Sequence, residues 1–284
     1  MLPDALRFRS PQPLIDIGAN LTHDSFHHDL QDVLARAHDA HLEALVLTGT
    51  DRASIEAAIA LTEHEAPVAL YATSGLHPHH AGEFDTALGR FIEESAAHDR
   101  VLAIGECGLD YHRDFSSHRD QKRAFEAQLE MAARTGKPLF LHEREAGEDM
   151  LDMLRHWRHD IGNAVVHCFT GEKKTLYGYL DLDLHIGQTG WLCDERRGEH
   201  LRELVRDIPA DRLMVETDCP YLLPRNLPAK LKGRRHEPAL LPWIVKEIAA
   251  CRGVSEADIA LQTTDTARRF FNIPAPAVEE MPHE

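Results

Sequence analysis

Eight short apolar runs, each followed by a longer amphipathic stretch, organise most of the 284-residue chain. The runs cover residues 14–20, 45–50, 68–77, 101–110, 138–144, 164–170, 182–191 and 213–221. Near-continuous apolarity over such lengths suits parallel strands buried on both faces. The stretches between them carry helical periodicity. In residues 119–135, Ala124, Phe125, Leu129, Ala132 and Ala133 fall on one helix face, and Gly136, Lys137 and Pro138 supply the stop. Eight such units make a closed (β/α)8 TIM-type barrel, folded as a single domain, the economical architecture, and a barrel of about 250 residues fits the length. A doubly wound open sheet shares the alternation and stays open here. On the barrel reading, residues 1–284 form one unit. Residues 1–12 are an N-terminal extension, and residues 223–284 are a basic, proline-containing loop and two helices packed on the barrel.

Composition narrows the function classes. The formal charge of −16 argues against a protein that coats nucleic acid by bulk electrostatics. It leaves room for a nucleic-acid enzyme, because a local basic rim or a bound cation can draw phosphate to an acidic molecule. The five cysteines, Cys107, Cys168, Cys193, Cys219 and Cys251, are odd in number and contain no C-x-x-C pair. They predict free thiols and a reducing, cytoplasmic setting. No run approaches the ~18 apolar residues of a membrane span, and no signal-peptide stretch opens the chain. Nothing signals an obligate protein partner, so a monomer is expected.

In a barrel, the C-terminal ends of the strands line the active face. Glu106 falls at the end of the fourth run, His142 of the fifth, His167 of the sixth and Asp218 of the eighth. They are separated by 36, 25 and 51 residues, which matches one, one and two βα units. A single His or Asp at such a position is commonly a hydrogen-bonded structural residue. Four at one level are not explained that way, and two imidazoles with two carboxylates form a donor set for Zn²⁺, Mn²⁺ or related divalent cations.

Seven motifs run in order along residues 13–273: DIGANL (16–21), GLHPHH (75–80), AIGECGLD (103–110), LHER (141–144), HCFTG (167–171), TGWLCDERRG (189–198) and ETDCPYLLPR (216–225). In these the sequence resembles the TatD family of metal-dependent deoxyribonucleases, within the amidohydrolase-like barrel group. The resemblance implies hydrolysis of phosphodiester bonds under a divalent cation, Mg²⁺ or Mn²⁺ for activity with Zn²⁺ as another occupant. It implies 3′–5′ exonuclease action on single-stranded DNA, with RNA as a second substrate, and a role in DNA repair. Glu106 would be shared between two metal positions, His142 and His167 would hold one metal, and Asp218 would be the acid/base beside it. The sequence departs from the family at Gly18 and Asn20, where many members carry an H-x-H pair. Glycine offers no side-chain donor and Asn only a neutral oxygen, which implies a second metal position that is weaker, absent or completed by substrate.

Other residues are assigned by position. His77, and less strongly His79, follow the third strand and face the scissile phosphate in this reading, with loop buttressing as the alternative. Arg144 shares a strand face with His142 and would fork a phosphate or pair with a carboxylate. Arg225, Lys230, Lys232, Arg234, Arg235 and His236, with Arg196 and Arg197, form a phosphate track or a solvated loop. Trp191 and Tyr221, near the same strand ends, either stack bases or pack, and packing is the commoner use of aromatics there. Cys107, Cys168 and Cys219 are expected to point away from the ligands beside them. His23, His27, His28, His38 and His41 read as solvated. Two other function classes remain: a hydrolase of esters or amides, for example an aminoacyl-tRNA deacylase, and a non-catalytic barrel scaffold.

Overall fold

The structure, a computed structural model, describes residues 2–274. Eight strands alternate with helices: β1 (Leu14–Ala19), α1 (Leu30–Asp39), β2 (Leu42–Leu47), α2 (Arg52–Thr62), β3 (Ala69–Ser74), α3 (Thr86–Ala96), β4 (Val101–Asp110), α4 (His118–Thr135), β5 (Leu139–Arg144), α5 (Gly147–Trp157), β6 (Ala164–Val166), α6 (Lys173–Asp181), β7 (His185–Gln188), α7 (Glu199–Leu204) and β8 (Leu213–Val215). Two further helices, α8 (Leu241–Arg252) and α9 (Glu256–Phe271), follow. All neighbouring strands pair in parallel, in chain order from β1 to β8. The open sheet is therefore excluded, and the chain forms a nearly closed (β/α)8 barrel.

The two edges meet just above β8. Asp218 N–H donates to Gly18 O and Asn20 N–H to Cys219 O, with one parallel bridge between Ala19 and Cys219. Side chains strengthen this thin seam: the hydroxyl and N–H of Thr217 both donate to the buried Asp16 carboxylate, at 2.6 and 2.9 Å. These bonds offset part of the cost of burying that carboxylate, whose pKa burial still pushes up to about 7, and they tie the last strand to the first.

Period-2 alternation divides each strand between two cores. Ile15, Ile17, Ala44, Val46, Tyr71, Ala103, Phe140, Val165 and Met214 meet inside the barrel, and Phe270, Phe271 and Ile273 from the end of α9 join them. Leu45, Leu47, Leu139, Leu141, Val166, Ile186, Leu213 and Val215 pack outward under the helices. This double burial is why the runs read as continuously apolar. The helix expected over 119–135 is α4, stopped by Gly136 in the left-handed region at φ 68.

β6, β7 and β8 end well before the apolar runs do. Their chains leave the ladder early to form the mouth, where Cys168 and Asp218 adopt φ of 46 and 52. α8 and α9 both pack against β8, and α9 also against β1; Met1 of the expected N-terminal extension and residues 275–284 of the expected C-terminal segment lie outside the described residues. No helix among the described residues is long and apolar enough to cross a membrane.

Two buried histidines make stability depend on pH. His236 is fully buried, with Nδ1 donating to Tyr221 O at 3.0 Å, and His185 lies against Phe270. Burial holds both rings at about 4. Below the ordinary value near 6.5 the unfolded chain takes up protons that the folded chain refuses, so stability is complete above pH 6.5 and is lost as pH falls toward 4. Each ring should cost about 2 kcal/mol by pH 5. Thermal melts between pH 7.5 and 5 should show a falling Tm, with a shallower slope in His185→Phe. An unchanged Tm over that range would contradict it.

Candidate metal centre

β4, β5 and β6 lie side by side, and each brings one donor to the same point at the mouth. A register irregularity between Gly105 and Cys107 turns Glu106 to the inner face of β4, and Asp110 follows on that face four residues later. On β5, alternation sets His142 and Arg144 on the face of the interior Phe140, and His167 continues the interior face of Val165. Glu106 Oε1 then lies 2.9 Å from His142 Nδ1 and 2.8 Å from His167 Nε2. All three residues, with Asp218, His77 and Arg144, line one cavity of about 500 Å³. The residues assigned to the site from sequence therefore meet in a single mouth.

The far nitrogen of each imidazole is held by another carboxylate. His142 Nε2 is 3.1 Å from Asp110 Oδ2, and His167 Nδ1 is 3.3 Å from Glu216 Oε2. A carboxylate there fixes the proton on the far nitrogen and leaves the near lone pair for a cation. Two imidazole nitrogens and a carboxylate oxygen fit a divalent ion of the Zn²⁺ or Mn²⁺ type. The electrostatics agree. Burial opposes charge on both rings, yet Asp110 and Glu106 raise His142, and Glu106 and Glu216 raise His167 well above the ordinary imidazole value. Against the same penalty of burial, His167 and His77 hold Glu106 well below the carboxylate range. The point favours positive charge, which is what a divalent cation brings.

His77 also approaches, with Nε2 3.3 Å from both Glu106 Oε1 and His142 Nδ1, so that His77, Glu106 and His142 place donor atoms within 4.8 Å of one another. Its tautomer separates it from the ligands. His77 Nδ1 accepts the backbone N–H of His79 at 3.1 Å, capping the short turn Pro78–Glu83. Burial lowers the ring to about 4, so it is neutral and its one proton sits on Nε2. His77 thus presents an N–H to the cavity rather than a lone pair.

Gly18 and Asn20 have definite tasks. A Cβ on Gly18 would collide with Glu216 Oε2, and one on Gly187 would crowd Oε1, so the buried Glu216 carboxylate occupies a slot that two glycines create. Asn20 Nδ2 donates to Asp218 Oδ1 and to Cys219 O, both at 3.0 Å, and its Oδ1 accepts from Thr48. The neutral oxygen of Asn20 is thereby engaged. Asp218 is half-buried beside the cluster and, among the described residues, makes no hydrogen bond to Glu106, His142 or His167. Burial, reinforced by the charges of Glu106 and Glu216 against that of His167, pushes its carboxyl up to about 7.

The structure corrects one sequence reading and narrows two. Cys107 and Cys219 are buried, but the left-handed backbone at Cys168 breaks the alternation and Cys168 lines the cavity. Of the basic group, Arg235 pairs with Asp29 at 2.7 Å, Arg225 and Arg196 flank Asp194 at 3.7 Å, and His236 is buried, while Lys230, Lys232 and Arg234 are exposed and do not line the mouth. Arg197 alone of that group lines the mouth. Trp191 and Tyr221 line it too, rather than packing away from it. Asp110 and Glu216 were missed, although both stand in the quoted motifs. The signal was available, because each is an even number of residues from an inward-facing carboxylate on the same chain segment.

The profile of one protein family, described as TatD related DNase, matches residues 15–272. A protein from Rahnella sp. (strain Y9602) is 47% identical over 263 residues, covering 92% of this chain and 99% of that protein. One from Pantoea vagans (strain C9-1) is 44% identical over 260 residues, covering 92% and 100%. Both bear the name 3′-5′ ssDNA/RNA exonuclease TatD. Among solved structures, a TatD family hydrolase from Entamoeba histolytica superimposes with a TM-score of 0.83 at 25% identity, over 92% of this chain and 98% of that one.

Calorimetric titration with Mn²⁺ distinguishes ligands from their supports. Glu216→Gln and Asp110→Asn should each weaken cation binding about 10–100-fold while leaving the far-ultraviolet circular dichroism unchanged. His77→Gln should leave the affinity within about threefold, since no donated lone pair is lost. A loss in His77→Gln as large as in the carboxylate variants would make His77 a ligand.

Proposed function

Because the chain belongs to the TatD-related DNase family, we propose that it is a divalent-metal-dependent exonuclease that removes nucleotides from the 3′ end of single-stranded DNA and RNA. The observation that carries this reading is Glu106 Oε1 shared between His142 Nδ1 and His167 Nε2, each ring braced by its own carboxylate. Glu106, His142 and His167 hold the cation, with Asp218 at its margin. Mg²⁺ or Mn²⁺ serves activity, and the nitrogen-rich donor set also accepts Zn²⁺. With Gly18 and Asn20 committed elsewhere, a second cation would need phosphate and water to complete its shell. A divalent cation lowers the pKa of adjacent water and neutralises charge on the phosphoryl oxygens.

The chain's own groups do the rest. Asp218, oriented by Asn20, takes a proton from the water that attacks phosphorus and returns it to the departing 3′-oxygen. The P–O3′ bond breaks as the new P–O bond forms, releasing a nucleoside 5′-monophosphate. His77 donates its Nε2–H to a phosphoryl oxygen. Arg144, with no carboxylate within 4.0 Å among the described residues, is free to fork a phosphate. The enzyme acts as a monomer on single-stranded ends, in a setting of DNA repair in the cytoplasm.

The test uses a 5′-labelled single-stranded DNA oligonucleotide with Mg²⁺, Mn²⁺ or EDTA. A ladder shortening from the 3′ end is expected, abolished by EDTA and slowed about a hundredfold or more in Glu106→Gln and Asp218→Asn. Absence of cleavage of DNA and RNA by folded, metal-loaded protein would overturn the proposal and favour carbonyl chemistry, such as aminoacyl-tRNA deacylation.

A further inference from the structure

The cations of the mouth are distributed on one side only. Among the described residues lining the cavity, the Lys and Arg side chains are Arg113 after β4, Arg144 at the end of β5 and Arg197 after β7. Strand order makes these one continuous half of the barrel. None of the three has a carboxylate within 4.0 Å among the described residues, in contrast to Arg196, Arg225 and Arg235 nearby. Arg144 and Arg197 both lie over Trp191, with guanidinium carbons 6.0 and 5.7 Å from the ring centre. This places two cations around one aromatic face. The opposite half, over β8, β1, β2 and β3, has no Lys or Arg among its described lining residues, which include Asn20, His77, His80, Asp218 and Tyr221. His80 there stands between carboxylates, 3.1 Å from Glu83 and 3.9 Å from Asp51. Tyr221 is 52% exposed, its ring edge-on to His23.

We propose that the two halves bind different parts of the strand. The β4–β7 half takes phosphates on the 5′ side of the scissile bond through Arg113, Arg144 and Arg197. The β8–β3 half takes the terminal nucleoside against Tyr221 and disfavours any further phosphate. The proposal rests on the exonuclease reading and deepens it. A chain end with a free 3′-hydroxyl presents no charge beyond the scissile phosphate. A 3′-phosphorylated end, or a strand running on past the cut, would bring a further phosphate toward the His80 edge of the mouth, where Asp51 and Glu83 flank His80 just outside the lining residues. Like charges repel, and among the described residues no Lys or Arg lines that half to offset them. The charge asymmetry thereby selects ends over internal bonds.

Binding separates this map from the chemistry. The probe is a 5′-fluorescein oligothymidylate whose last linkage is an uncleavable methylene phosphonate, ending in a 3′-hydroxyl or a 3′-phosphate, read by anisotropy on the metal-loaded protein. The 3′-hydroxyl form should bind about tenfold tighter. Each of Arg113→Gln, Arg144→Gln and Arg197→Gln should weaken binding several-fold and lower the slope of log Kd against log salt by about 0.7. Asp51→Asn, which keeps a side chain able to cap α2, and Glu83→Gln should narrow the gap between the two ends. Equal affinity for both ends, or unchanged salt slopes in the arginine variants, would overturn the map. If this binding pattern holds while the unmodified oligonucleotide is not cut, the map stands and the nuclease reading fails.

Discussion

The mouth of this barrel depends on one carboxylate oxygen. Glu106 Oε1 draws in an imidazole from each of the two following strands, and both rings use their remaining nitrogen on a further carboxylate. Burying so many ionisable groups at strand ends would cost several kcal/mol if any stood alone. Here each acid has a donor: Glu106 has two rings, Asp110 has His79 and His142, Glu216 has His167 and the Cys168 N–H, and Asp218 has Asn20. Each carboxylate of the network thus has at least one hydrogen-bond partner, and these contacts together hold the cluster in place.

The site and the closure of the barrel are linked through the segment after β8. Thr217 pins Asp16 of β1, while Glu216 on one side of it reaches His167 from behind and Asp218 on the other lines the mouth. The segment that closes the barrel therefore aims two acidic groups at the cluster, Glu216 by continuing the inner face of Met214 and Asp218 through its left-handed backbone. Gly18 and Gly187 make this possible by leaving a slot for Glu216 that any Cβ would fill. The departure at Gly18 thus belongs to a coherent local arrangement in which space goes to a carboxylate bracing His167.

The barrel and the convergence of Glu106, His142, His167 and Asp218 on one mouth were legible because double burial writes continuous apolar runs, and because the candidate ligands fall at repeating intervals. What was less legible has specific physical causes. β6, β7 and β8 run shorter than their apolar stretches, since apolarity records burial and the segments stay buried after leaving the ladder. Asp110 and Glu216 resemble ligands in sequence, and only distance shows that they serve the rings from behind. The tautomer of His77 depends on a backbone N–H two residues away, which no residue pattern encodes. The basic loop stayed open between phosphate track and solvated loop because the partners of Arg235 and Arg225, Asp29 and Asp194, lie far from the loop in sequence.

The most direct measurement is an anomalous difference map from crystals grown with Mn²⁺. One peak is expected at about 2.0–2.3 Å from a Glu106 oxygen, His142 Nδ1 and His167 Nε2. His77 Nε2 should lie outside the coordination shell, and Asp110 and Glu216 should still contact the far nitrogens. A peak bonded to His77 Nε2 in place of His167, or one away from Glu106 altogether, would contradict the assignment of Glu106 as the shared centre of the site.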